Sequence, residues 1–100
     1  MEIKTLTTKM HEFVQSKGWY EPGSQREQSP RNLAISLSME SSEVLELFQW
    51  SENCKNLNAL ADELADVSLY LFQLASVSGI DLETAILNKL SKNVNRDWNS

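Results

Sequence analysis

The stretch M-E-S-S-E-V-L-E-L-F-Q-W, Met39 to Trp50, sets three glutamates at three-residue spacing among Leu45, Leu47, Phe48 and Trp50. That spacing follows the period of a helix, not the period of two that a half-buried strand requires. At 100° per residue, Leu33, Leu37, Val44, Leu47 and Phe48 form an apolar arc roughly 100° wide. Glu40 falls inside that arc, Glu43 lies about 60° further round at its border, and Glu46 continues the rotation towards the opposite face. An unpaired carboxylate on a core-facing stripe costs several kcal/mol of desolvation, so Glu40 needs a partner.

Outward from this segment the chain reads as four helices. Ser29 can cap and Pro30 can occupy the first position of a helix that runs to about Trp50. Before it, Ile3, Leu6, Met10, Phe13 and Val14 mark a helix from roughly Thr5 to Lys17, which Gly18 is placed to end. Gly18 to Pro30 holds two prolines and two glycines and is a loop long enough to have a function. After a connection at Cys54 to Asn58, Leu60, Leu64, Val67, Leu71 and Leu74 keep one stripe from about Leu57 until Gly79. Asp81 then caps a last helix to about Arg96, with Ile80 and Ala85 at staple positions. Strand alternation, repeats and low-complexity runs are absent.

Composition narrows the function. One hundred residues make one domain, residues 1–100, and a lone chain of this size buries only about two thirds of its unfolded surface, so partner subunits are expected. Nine basic against fourteen acidic residues leave a net charge of −5, which disfavours nucleic-acid polymers and anionic membranes and suits a cation site. One cysteine, Cys54, excludes an internal disulfide; no signal peptide follows Met1 and no apolar run reaches membrane-spanning length, so a cytoplasmic protein is expected.

Basic partners for Glu40 are scarce, because Lys55 is the only lysine or arginine between Asn32 and Ser78. On the third helix Glu63, Asp66 and Tyr70 spread over about 60° along one flank of the leucine stripe. Two i, i+3 pairs on facing helices, Glu40 with Glu43 and Glu63 with Asp66, can converge four oxygen donors on one point, and hard oxygen ligands suit Mg²⁺ or Mn²⁺. A ferritin-like di-iron centre would want Glu-x-x-His motifs, whereas the only histidine, His11, is on the first helix. His11 and Cys54 have no catalytic partner visible in the sequence, and Trp98 reads as a packing residue.

P-R-N-L-A (Pro30 to Ala34), E-S-S-E-V-L-E-L-F-Q-W (Glu40 to Trp50) and L-A-D-E-L-A-D-V-S-L-Y-L (Leu60 to Leu71) resemble the all-α nucleoside triphosphate pyrophosphatases of the MazG-like superfamily, in particular their dCTP pyrophosphatase branch. The similarity continues through G-I-D-L-E-T-A (Gly79 to Ala85) and K-L-S-K-N-V-N-R (Lys89 to Arg96). It implies an all-α four-helix bundle completed by oligomerisation, as a homodimer or homotetramer with sites built from more than one chain. It also implies hydrolysis of the α–β phosphate bond of a nucleoside triphosphate, dCTP or a modified dCTP, to the monophosphate and pyrophosphate, as nucleotide-pool house-cleaning. By the resemblance, Glu40, Glu43, Glu63 and Asp66 hold Mg²⁺, Glu46 polarises water or supports the metal ligands, and Trp19 and Trp50 line the base pocket. Tyr70 stands beside the substrate, and Lys89, Asn93 and Arg96 face the nucleotide, with Lys89 also a candidate for catalysis. The chain departs from the pattern in having Ser41 and Ser42 where glycines are frequent, and ten histidine-free residues, Tyr20 to Ser29, between Trp19 and Pro30. Base selection is therefore the property that transfers least; Arg26 and Gln28 are candidates to replace the missing histidine. The alternatives are a non-catalytic helical nucleotide-binding or interaction module, or the same chemistry on dUTP or dATP.

Overall fold

Three of the four helices begin at a side chain that accepts a hydrogen bond from the first turn. Ser29 Oγ accepts from the Asn32 amide at 3.2 Å with Pro30 beside it, Asn56 from Ala59 at 3.0 Å, and Asp81 from Thr84 at 3.2 Å. Each satisfies an amide that the helix itself leaves without a partner. The computed structural model describes residues 2–97 and shows, among them, α1 (Ile3–Ser16), α2 (Pro30–Glu46), α3 (Leu57–Val77), α4 (Leu82–Val94) and no strand. Trp98, expected to pack, lies outside the described residues.

Glycine ends two of these helices in the same way. Gly18 (φ +72°) follows α1, where the Trp19 amide reaches back to Val14 O at 3.3 Å and the Gly18 amide to Gln15 O at 3.0 Å. Gly79 (φ +72°) follows α3, with Ile80 bonded to Ala75 O at 2.9 Å and Gly79 to Ser76 O at 3.1 Å. Both are Schellman closures, which need a left-handed residue that glycine adopts without a Cβ penalty. The first closure fixes where Trp19 leaves the helix.

α2 is shorter than its apolar pattern predicts, ending at Glu46 and not near Trp50. No glycine is available to stop it, and the chain continues through i→i−3 bonds, Leu47 to Val44 O and Phe48 to Leu45 O among them. The tighter turns keep Leu47 and Phe48 half-buried while Trp50 is exposed.

The core lies where α1, α2 and α3 meet, with Met10 and Val14, Leu33, and Ala75 buried. α3 presents a different face to it than the leucine stripe predicts: Leu64 is 49% and Leu71 39% exposed, whereas Gln73 is 3% exposed. α3 is apolar on more than one side, and α1 and α2 together cover only part of it. α4 has no buried residue. The radius of gyration, 16.2 Å, exceeds the roughly 13 Å of a compact chain of this length.

Candidate active site

Packing α2 against α3 carries Glu40 to Glu63 and Asp66, whose carboxylate oxygens can all lie within 4.8 Å of one another. Glu40 and Glu63 are half-buried and Asp66 is exposed, so the cluster opens to solvent on one side. Desolvation, then the charges of Asp66 and Glu63, a hydrogen bond with Glu63 and the charge of Glu43 push the Glu40 carboxyl above its ordinary value. Removing water and adding like charge both disfavour its ionised form. Glu63 Oε2 is buried with no hydrogen-bond partner, a costly state for a carboxylate oxygen without a cation. The donors are all hard oxygens, and the residues present fit a divalent cation of the magnesium type. Glu43 is exposed and outside this closest group, though near enough to act on Glu40; Glu46 is exposed at the end of α2.

Asp66 also borders a cavity of about 390 Å³ whose walls include Phe13, Trp19, Tyr70 and Gln73, with Arg26 and Gln28 from the loop. Trp19 sits edge-on to Phe13, centroids 5.8 Å apart and planes at 84°. The Arg26 guanidinium lies 4.6 Å from the Trp19 ring centroid, a cation–π contact. The long loop thus lines the cavity. Its own order comes from short bonds, Arg26 N to Ser24 Oγ at 3.1 Å and Asn32 Nδ2 to Glu27 O at 3.0 Å.

One wall of the cavity backs onto a continuous hydrogen-bond relay. Gln28 Nε2 donates to Arg26 O at 2.6 Å. Gln73 Nε2 donates to Gln28 Oε1 at 2.8 Å and to Tyr20 Oη at 3.1 Å. Tyr20 Oη lies 2.6 Å from His11 Nδ1, and His11 Nε2 lies 2.7 Å from Ser76 Oγ. Burial raises the Tyr20 phenol above its ordinary value, against the lowering effect of the Gln73 bond. The phenol accepts from Gln73 and has its own proton to donate towards His11 Nδ1, an arrangement that goes with the imidazole tautomer carrying its hydrogen on Nε2, next to Ser76 Oγ. His11 and Gln73 were not identified as site residues by the sequence. A lone glutamine inside L-Y-L-F-Q-L-A was the available signal, since a buried amide requires partners.

Of the residues expected at the site, Glu40, Glu63 and Asp66 come together, and Trp19 and Tyr70 line the adjoining cavity. Trp50, 91% exposed, does not line it. Nor do Lys89, Asn93 and Arg96, which belong to or follow α4; Lys89 and Arg96 are exposed and Asn93 is half-buried.

The fold and these side chains define an all-α protein with an oxygen-donor centre beside an aromatic cavity. Residues 35–98 match the MazG-like family. The chain is similar to dCTP pyrophosphatase 1 of Rattus norvegicus and of Homo sapiens, 34% identical in each case over 94 residues that cover 85% of this chain and 52% of the relative. It therefore spans about half the length of the curated relatives it matches. The crystal structure of a pyrophosphatase from Archaeoglobus fulgidus superposes with a TM-score of 0.78 at 32% identity, covering 91% of this chain and 87% of that one. The chain belongs to the MazG-like family.

Proposed function

We propose that this chain is a divalent-metal-dependent nucleoside triphosphate pyrophosphohydrolase that cleaves a dCTP-like nucleotide between its α and β phosphates, releasing the monophosphate and pyrophosphate. The observation that carries this reading is the junction of the Glu40, Glu63 and Asp66 carboxylates with the cavity lined by Trp19 and Tyr70. A base can occupy the aromatic cavity while the phosphates extend to the acids.

Two similarly charged groups, phosphates and carboxylates, approach only with cations between them. Mg²⁺ held by Glu40, Glu43, Glu63 and Asp66 would neutralise the phosphates and lower the pKa of a bound water. Glu40 and Glu63 hold their oxygens on two different helices, so the α2–α3 packing fixes the spacing of the donor set. Glu46, one turn beyond Glu43, is assigned to water at the edge of the centre. Trp19 supplies a stacking surface and Tyr70 borders the sugar side of the cavity.

The exposed apolar surface supports assembly with further copies. Leu57, Leu64 and Leu71 repeat every seven residues on the uncovered side of α3, and Leu87, Leu90 and Val94 are exposed on α4. Assembly as a homodimer or homotetramer would cover these residues and bring Lys89, Asn93 and Arg96 of one chain to the phosphates of another, with Trp50 closing the base pocket. Nucleotide-pool cleansing is the biological purpose consistent with such a reaction.

The test is a product assay with each common and 5-substituted nucleoside triphosphate, with Mg²⁺ and with chelator, resolving pyrophosphate from orthophosphate. Metal-dependent pyrophosphate release is expected, and Glu40→Gln should lower it by roughly 100-fold or more while the helical content is retained. Full activity in Glu40→Gln would remove the metal assignment.

A further inference from the structure

Among the described residues Gln73 is the one polar side chain buried in the core, and its surroundings decide which atom it can offer to a ligand. Arg26 O is a backbone carbonyl and can only accept, so Gln28 must present Nε2 to it, at 2.6 Å. Gln28 Oε1 then faces Gln73, which must answer with its own Nε2, at 2.8 Å. The second hydrogen of that amide is taken by Tyr20 Oη at 3.1 Å. Rotating the Gln73 amide by 180° would set two carbonyl oxygens against each other. Both hydrogens of Gln73 are thus committed, and Oε1 is the polar atom left to face a ligand in the cavity that Gln73 and Gln28 line. Beside it, Gln28 Nε2 retains a second hydrogen.

We infer that the Gln28–Gln73 relay reads the base edge, and that it selects nucleotides whose base carries an exocyclic amino group next to an unprotonated ring nitrogen. Cytosine and adenine have that pattern, a donor beside an acceptor; uracil and thymine present a carbonyl beside a ring N–H. Against an oxo base, Gln73 Oε1 faces another oxygen and the Gln28 hydrogen meets an N–H. A buried acceptor left unsatisfied in this way is costly, and sites built on such hydrogen bonds discriminate far more strongly than apolar contacts do. The position is suitable as well. Glu63, Asp66, Tyr70 and Gln73 succeed one another along α3, and seven residues separate Asp66 from Gln73, about 10 Å along the axis. A sugar fits between a base at Gln73 and phosphates at Asp66. The relay also assigns the long loop a purpose: Gln28, which sets the polarity, belongs to it.

This inference rests on the cavity being the base pocket of the proposed hydrolase, and its test separates the two. The measurement is kcat/KM for dCTP, dATP, dUTP and dTTP with Mg²⁺ for the wild type, Gln73→Leu and Gln28→Leu. The wild type should favour dCTP over dUTP by roughly 10- to 100-fold. Gln73→Leu, which removes the acceptor, should bring that ratio to within about threefold of one. Gln28→Leu removes the group that fixes the Gln73 amide and should lower the ratio too. Because the ratio compares two substrates on one protein, a loss of folded enzyme does not change it. A wild type that cleaves dUTP or dTTP as well as dCTP overturns the inference while hydrolysis itself stands. So does a preference that survives in Gln73→Leu, or in Gln28→Leu should the first variant not fold. Absence of pyrophosphate from all four substrates defeats both readings.

Discussion

Glu40 shows how much one residue's position determines here. Its carboxyl is raised by desolvation and by the neighbouring acids Asp66, Glu63 and Glu43, so without metal the native state binds its proton more tightly than the unfolded chain, whose ordinary value is 4.5. The native state thus holds more protons between those two values, and stability rises as pH falls through the native pKa towards 4.5, with no further gain below it. Metal reverses the sign, since ligation requires the ionised form and weakens over the same interval. The chelated wild type should therefore gain melting temperature relative to Glu40→Gln as pH is lowered from 7 to 4.5, while Mg²⁺ should raise the wild type most at pH 7. A wild-type-minus-variant difference that ignores pH would show that Glu40 is not held in the acidic cluster. The placement of this acid was legible in the sequence because Glu40 interrupts an apolar arc. Gln73 interrupts no such arc, lying about 100° beyond the edge of the leucine stripe of α3; its hydrogen bonds run to Tyr20 and Gln28, 53 and 45 residues away, and no local period encodes such contacts.

At the level of the element, the two Schellman closures separate stability from positioning. Gly18 and Gly79 share φ +72°, and at neither would an added Cβ meet another atom within 4 Å. The cost of alanine is then the left-handed backbone alone, about 1 kcal/mol at either position. Denaturant unfolding at one protein concentration should show similar losses for Gly18→Ala and Gly79→Ala. Only the first should raise KM for the nucleotide, because Trp19 follows Gly18 and is aimed into the cavity by that turn. Equal KM values in the two variants would leave Trp19 without a role in binding. Caps and stops of this kind are written in single residues, which is why all four helices could be located from the sequence. The end of α2 was not: Leu47 to Trp50 keep the apolar pattern while the backbone has changed to i→i−3 bonds, and a period cannot distinguish a helix from the tighter turn that continues it.

At the scale of the whole molecule, the chain leaves apolar surface uncovered. A leucine stripe on α3 predicts one core, yet Leu57, Leu64 and Leu71 face outward beside an α4 with no buried residue. Hydrophobic periodicity identifies a face that must be covered without saying whether the cover comes from the same chain. Leu64→Glu places a charge in that face and should shift sedimentation towards the monomer with α1 to α3 still helical; an unchanged sedimentation coefficient would mean that the face is not an interface. If α4 of one copy completes the site of another, Glu40→Gln and Lys89→Ala damage different halves of it. Each variant alone should be inactive. Co-refolded in equal amounts, they would form mixed two-fold dimers in which one site draws Glu40 from one chain and Lys89 from the other, both intact. About a quarter of the wild-type activity should return for a random mixture of such dimers. Activity no greater than the sum of the separate variants would mean that each chain builds its own site, and that Lys89 reaches the nucleotide within its own subunit or not at all.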